Sequence, residues 1–276
     1  MKNILTLIAL LSFTTVTSFT FAQKESKKTH EYHYRILDPV ETDEYKIVIA
    51  DAHSQTKFTA MRITITNKTS DYLVYRPSEV VFKYEHGDFQ VEGEEIMIKP
   101  NSTITRILRV SEGKQFHVKT LNVVADCFYL LAIDKEVINA PDFDLPASIN
   151  DFKAGGFEVS LKKLKKETGA TVARFIVKYT GSDYGVVTSG KTVVRLEDEQ
   201  EFTSKDSTRV RSIILKPGEE RNLTVVYTVP AKIIDMQFAN MKIIWKETFA
   251  ESKAVKLTGQ TFNFVLDPGL TGGKNN

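Results

Sequence analysis

Apolar and polar residues alternate with a period of two along most of this chain. Ile63 and Ile65 are framed by Arg62, Thr64 and Thr66, and Val80, Phe82 and Tyr84 alternate with Val81, Lys83 and Glu85. The same beat runs through Phe157-Val159-Leu161, Leu223-Val225-Tyr227-Val229 and Phe262-Phe264-Leu266. Successive side chains of a strand point to opposite faces, so this pattern predicts strands with one buried face. Val, Ile, Thr, Tyr and Phe dominate the runs, as a pleated, half-buried surface favours. Polar and Gly- or Pro-containing turns separate them, among them Asn67 to Asp71, His86-Gly87-Asp88 and Lys99-Pro100-Asn101. Almost no stretch carries a helical period, and the fold class expected is all-β, built as a sandwich or barrel of short antiparallel strands.

The pattern also repeats. Shifted by 112 positions, residues 45–82 align with 157–194 without a gap. Tyr45, Ile47 and Ile49 fall on Phe157, Val159 and Leu161, and Ser70-Asp71-Tyr72 falls on Ser182-Asp183-Tyr184. After a five-residue insertion, Ile96 to Pro100 meets Ile213 to Pro217. Shared turn residues within a shared apolar phase predict two tandem copies of one fold. A cluster of Pro, Asp and Gly between Ala140 and Gly156 marks the division. The expected organisation is a leader at 1–22, an extended segment at 23–43, β-sandwich domains at 44–149 and 150–268, and a loose Gly-rich tail at 269–276.

The second copy reads as a strand, a polar turn, a strand, the turn Leu215-Lys216-Pro217-Gly218-Glu219, a strand from Leu223 to Val229, and Pro230. This series resembles the small immunoglobulin-like modules of exported bacterial envelope proteins. The first copy departs from it at Asn101, which stands where Gly218 stands in the second and tolerates the same backbone region. The resemblance implies two tandem antiparallel immunoglobulin-like sandwiches and a non-catalytic role.

The N-terminus changes the picture of location. Lys2 precedes an apolar run from Ile4, and Thr20-Phe21-Ala22 ends it with small residues at the positions signal peptidase reads, so export with cleavage before Gln23 is expected. No segment is apolar enough over about 20 residues to span a bilayer as a helix. The ending at Asn276 and the charged strands also speak against an outer-membrane barrel. Periplasm, cell surface and medium all remain open. The formal charge of +2 over 276 residues is too small for a nucleic-acid partner. Cys127 is the lone cysteine, so the chain has no internal disulfide, and a small apolar residue buried in a strand is its expected role.

Candidate chemistry is sparse. His30 and His33 lack further ligands at zinc spacing, and His53 and His86 fall in predicted turns without a counterpart in the second copy. Glu94-Glu95 and Asp142/Asp144 are carboxylate pairs of the kind exposed loops carry. No nucleophile elbow or phosphate loop occurs, since Thr188-Ser189-Gly190-Lys191 lacks the required glycines. The expectation is therefore no catalytic residue, no metal, no cofactor and no enzyme. Lys162, Lys163, Lys165 and Lys166 form the densest basic run and read as a charged strand edge, with an anionic surface as the alternative. Two function classes follow: a non-enzymatic interaction module with an envelope protein or glycan partner, or a periplasmic or surface carbohydrate- or small-ligand-binding protein accessory to an enzyme. The second would need exposed aromatic residues, for which Tyr72, Tyr75, Tyr84, Tyr184 and Trp245 are the candidates.

Overall fold

A computed structural model describes residues 30–111, 115–133, 136–208 and 212–275. The expected leader at 1–22 lies outside the described residues, as do residues 23–29 of the extended segment.

Among the described residues the chain is all-β apart from two single 3-10 turns and one terminal helix. The first copy contributes β1 (Tyr32–His33), β2 (Val40–Glu41), β3 (Tyr45–Gln55), β4 (Phe58–Asn67), β5 (Tyr72–Tyr75), β6 (Val80–Tyr84), β7 (Gly87–Gln90), β8 (Ile96–Ile98), β9 (Thr103–Ser111), β10 (Thr120–Ala125), β11 (Phe128–Leu131), β12 (Glu136–Ile138) and β13 (Phe143–Leu145). The second contributes β14 (Asp151–Ala154), β15 (Phe157–Glu167), β16 (Ala170–Tyr179), β17 (Tyr184–Thr188), β18 (Thr192–Leu196), β19 (Glu201–Thr203), β20 (Ser212–Leu215), β21 (Glu220–Thr228), β22 (Met241–Trp245), β23 (Phe249–Ser252), β24 (Val255–Lys256) and β25 (Gln260–Val265), followed by α1 (Pro268–Asn275). Every pairing among the described residues is antiparallel, in sheets of four or five strands.

The two copies build the same arrangement. In the first half, β1-β3-β4-β9 form one sheet, with β2 also on β3. In the second half, β14-β15-β16-β21 form its equivalent. Two short four-stranded sheets, β25-β10-β6-β7 and β24-β11-β5-β8, complete the first half. Inward residues from these sheets form the first core, including Tyr45, Ile47, Ile63, Ile65, Phe82, Phe116, Val123 and Phe128. The second core is the counterpart, around Phe157, Phe175, Tyr179, Tyr227, Trp245 and Phe249. Lone Cys127 is fully buried in the first core. Its surroundings push the thiol up, chiefly by desolvation, with Glu79 and Asp126 adding to it.

The last strands of each copy do not stay with it. β12 pairs with β23 and β13 with β22, in the second half. Reciprocally, β24 pairs with β11 and β25 with β10, in the first half. Phe262 and Phe264 accordingly lie in the first core, and Phe143 and Leu145 in the second. Strand pairing therefore departs from the linear division between 149 and 150. One physical contribution lies in the β23–β24 hinge. Folding back onto its own copy would require β24 to turn through Ser252-Lys253-Ala254, which has no Gly, Asn or Asp to adopt the positive φ of a tight hairpin. Short hinges of this kind favour exchange. The sequence repeat is blind to the choice, because the two receiving sheets are equivalent.

The C-terminus also differs from the loose tail expected at 269–276. Asp267 Oδ1 accepts the Leu270 N–H at 3.0 Å, and Pro268 opens the helix, where its missing N–H costs nothing. Thr271 and Asn275 lie four residues apart and so share a face. Thr271 Oγ1 accepts the His33 N–H at 3.0 Å, and the Asn275 amide accepts from Glu31 N–H at 3.0 Å and donates to Glu31 C=O at 2.8 Å. Side chains of α1 thus complete the outer ladder of β1. Three glycines make α1 weak on propensity alone, and this docking compensates.

Candidate functional site

The repeated Ser-Asp-Tyr motif sits where the two halves meet. Tyr72, Val74, Leu131 and Tyr184 form a small buried cluster between them, flanked by Met97, Tyr129, Ile133, Ile214 and Ala254. Tyr72 Oη donates to the Ser212 carbonyl at 2.9 Å, and Tyr184 Oη donates to Glu95 Oε2 at 2.8 Å. Ser212 and Glu95 are equivalent positions of the two copies, so each tyrosine reaches across to the same place in the other half. Glu95 also accepts Arg76 Nε at 2.8 Å and stands 3.1 Å from Lys216 Nζ. Burial pushes its carboxyl up, but the bonds from Arg76, Tyr184 and Lys216 outweigh this and hold it below the ordinary value. Arg76 in turn lies 4.1 Å above the Tyr129 ring, whose Oη donates to Glu79 at 2.7 Å. This is a polar lock between the halves, and it uses the Glu95 that sequence reading placed on an exposed loop.

The other aromatic candidates are core residues. Tyr75 stacks on Phe128 at 5.4 Å, and Tyr84 packs edge-on to Phe116 at 5.4 Å. Trp245 lies 5.3 Å from Phe175 and 5.4 Å from Phe249. All five of Tyr72, Tyr75, Tyr84, Tyr184 and Trp245 are buried. Of the basic run, Lys162 occupies a bulge in β15, Lys163 stands opposite Arg174, and Lys165 pairs with Glu167. Lys166 turns aside and donates to the Ala239 carbonyl. The four lysines therefore do not present a single surface.

A half-open cleft forms where β1, β3 and α1 meet. It has a volume of about 370 Å³ and is lined by Glu31, His33, Tyr34, Ile36, Ala50, Asp51, Ala52, His53, Leu270 and Lys274. A bulge between Ala50 and His53 shapes it, with Asp51 at φ 53° and its carboxylate 2.6 Å from Arg62. His53 Nδ1 lies 2.8 Å from the Asp51 carbonyl, which can only accept, so Nδ1 is the donor of this bond. The His33 ring stacks on His53 at 5.8 Å. Glu31 Oε2 stands 3.2 Å from His33 Nε2, while Glu31 Oε1 accepts Gln55 Nε2 at 2.6 Å. Burial lowers the His33 pKa; Glu31 opposes this, and His53 and Lys274 reinforce it. The net effect holds the His33 imidazole below its ordinary value. Nearby in sequence, Tyr32 stacks on His117 at 4.3 Å with His30 edge-on to His117.

Four of the five histidines converge on this end of the first half. His86 does not join them; its ring lies against Tyr84 and Phe89. Among the described residues no set of three or more His, Cys, Asp or Glu is arranged to hold a metal ion. The cleft can hold a small polar group over an apolar floor by hydrogen bonds. Its one sequence signal was His53, against Lys165 in the second copy; the contributions of α1 carried none. A second cleft of about 490 Å³ beside β13 and β22 carries Asp144, Arg195, Glu197, Asn240 and Lys242. Its charges are largely spent on one another, in Arg195–Glu201, Asn240–Glu197 and Lys242–Asp144 pairs.

Comparisons with known proteins add little. No family model matches the chain, and no curated protein does. Among solved structures, the yjhA protein from Bacillus subtilis aligns at 12% identity over 39% of this chain and 96% of its own, with a TM-score of 0.27. Procruciferin, an 11S globulin from Brassica napus, aligns at 6% identity over 84% of this chain and 86% of its own, with a TM-score of 0.13. Neither likeness is strong enough to bear on function. No helix among the described residues is long and apolar enough to cross a membrane.

Proposed function

We propose that this chain is an exported, non-enzymatic interaction module of the bacterial cell envelope, made of two interlocked immunoglobulin-like sandwiches. The observation that carries the reading is an asymmetry between otherwise matching halves. Features both copies share, such as the paired tyrosines, serve the fold. The cleft of His33, His53, Glu31 and Asp51, closed by Lys274 of α1, has no counterpart in the second half. Its apolar floor and few polar groups suit binding. The carbohydrate reading draws less support, because the five aromatic residues it leaned on are buried.

The test uses the whole secreted chain, immobilised and offered detergent-solubilised envelope extract, with a glycan array in parallel. The expected result is one reproducible protein partner and no glycan. A His33→Ala, His53→Ala double variant, shown to be folded by circular dichroism, should weaken the capture. A glycan bound on the array without any protein partner would overturn the proposal in favour of the carbohydrate reading.

A further inference from the structure

The second asymmetry between the halves concerns sheet edges. β9 and β21 are the longest edge strands, nine residues each. In β21, Glu219 accepts the Tyr179 N–H, so even-numbered residues face the open side, where Val226 C=O accepts the Lys205 N–H at 2.8 Å. The segment that supplies this bond joins β19 to β20 and is eight residues long. Its counterpart between β7 and β8 has five, and among the described residues it makes no backbone bond to β9. The opposite edge of the same sheet, β1, is covered by α1. Among the described residues β9 makes no backbone bond on its open side, whereas β21 is bridged there at Val226.

The parity of β9 follows from its neighbour. Asn67 N–H donates to Ser102 C=O at 2.9 Å, so Ser102 faces β4 and the register continues without a shift. Thr103, Thr105, Ile107, Arg109 and Ser111 therefore aim their N–H and C=O groups outward. The Arg106 guanidinium, which donates to the Thr105 carbonyl at 2.8 Å, confirms that this carbonyl is on the open side. Ile107 is 72% exposed, a large apolar side chain beside unpaired backbone.

We propose that β9 takes up an extended peptide segment as an added strand, and that the segment carries an acidic-apolar-apolar-acidic core. An exposed edge of this length templates strand addition, with main-chain bonds giving affinity and side chains giving specificity. The charges choose the occupant. Arg106 and Arg109, the latter lying over the Phe58 ring, place cations on opposite faces of the strand around exposed Ile107 and core-facing Leu108, and β9 holds no acid. A second copy of β9 would bring four arginines into one short ladder, which like-charge repulsion opposes. A strand with Glu-Val-Val-Glu matches both faces in either direction. The inference deepens the binding reading above and rests on it.

The probe is an N-acetylated, C-amidated octapeptide, Thr-Thr-Glu-Val-Val-Glu-Thr-Thr, titrated into the whole chain by calorimetry and fluorescence anisotropy. A twin with Lys for both Glu is the control. Ile107→Pro removes an outward N–H and leaves the β4 ladder whole, so it should keep the thermal transition and weaken the Glu peptide at least about tenfold. Arg106→Glu with Arg109→Glu should exchange the preference, so that the Lys twin binds better. Failure of the wild-type chain to bind the Glu peptide, equal binding of both peptides, or unchanged binding by folded Ile107→Pro overturns the proposal. So does concentration-dependent dimerisation lost in Ile107→Pro, which would make a second copy the occupant. An envelope partner captured equally by Ile107→Pro would leave the binding reading standing and sink the edge.

Discussion

Phe264 lies near the end of the chain, yet it is 1% exposed in the first core, edge-on to Tyr34 at 6.0 Å. Its strand, β25, pairs with β10 from the first copy. Phe264→Ala removes a buried ring and leaves a cavity, a change worth about 3–5 kcal/mol. With a urea slope of roughly 3 kcal/mol/M for a chain of this size, the midpoint should fall by about 1–1.7 M. The location of the damage is the sharper reading. Amide hydrogen exchange should accelerate first along Thr120–Ala125, by roughly two to four orders of magnitude if opening is local. Met241–Trp245, whose outer neighbour is β13 from the first copy, should be affected least. Phe143→Ala should give the mirror image. If Phe264→Ala instead loosened Met241–Trp245 and spared Thr120–Ala125, each copy would be closing its own sandwich and the exchanged topology would be refuted.

Other outcomes follow from the same contacts. Tyr184→Phe removes the hydroxyl shared by Glu95 and Arg76 and should cost about 1–2 kcal/mol by urea titration, with Lys216→Ala adding less than its own single effect because both act on Glu95. Glu95 sits below its unfolded value, so its contribution to stability is present above about pH 4.3 and lost as pH falls through the folded value. Melting temperatures from pH 6 to about pH 3 should therefore fall less for Glu95→Gln than for the native chain. Cys127 should stay silent to a thiol reagent in the native state and react fully in urea, because burial raises its pKa and hides the sulfur. Replacing Lys162, Lys163, Lys165 and Lys166 with Ser should leave the far-ultraviolet spectrum intact; loss of association with anionic vesicles or glycans on that change would show the run to be a binding surface.

Much of the architecture was legible in the chain. Period-two alternation marked the strands, because one buried face enforces it, and the 112-residue shift marked two equivalent halves. The Ser-Asp-Tyr repeat was visible but its use was not. A tyrosine in a strand gives the same sequence signal whether its ring enters a core, as Tyr75 does, or a junction, as Tyr72 and Tyr184 do. The partner sheet of the exchanged strands was hidden because both sheets present the same apolar face. The cleft was hidden for another reason. His33, His53 and Lys274 are distant in sequence and are assembled by a bulge and by a helix that glycine content argues against. Differences between the copies, such as His53 against Lys165 and the shorter β7–β8 connection, were the remaining signal.

The exchange can be tested in one step by cutting the chain between the halves. A protease site placed at the exposed Ser148-Ile149-Asn150 loop divides the linear copies after β13. Size-exclusion chromatography of the nicked protein in about 1 M salt, which weakens exposed ion pairs, then reads its mass. Strands β12–β13 and β24–β25 should hold the two pieces together at the mass of the uncut chain. Two separate folded pieces, each near half that mass, would contradict the account.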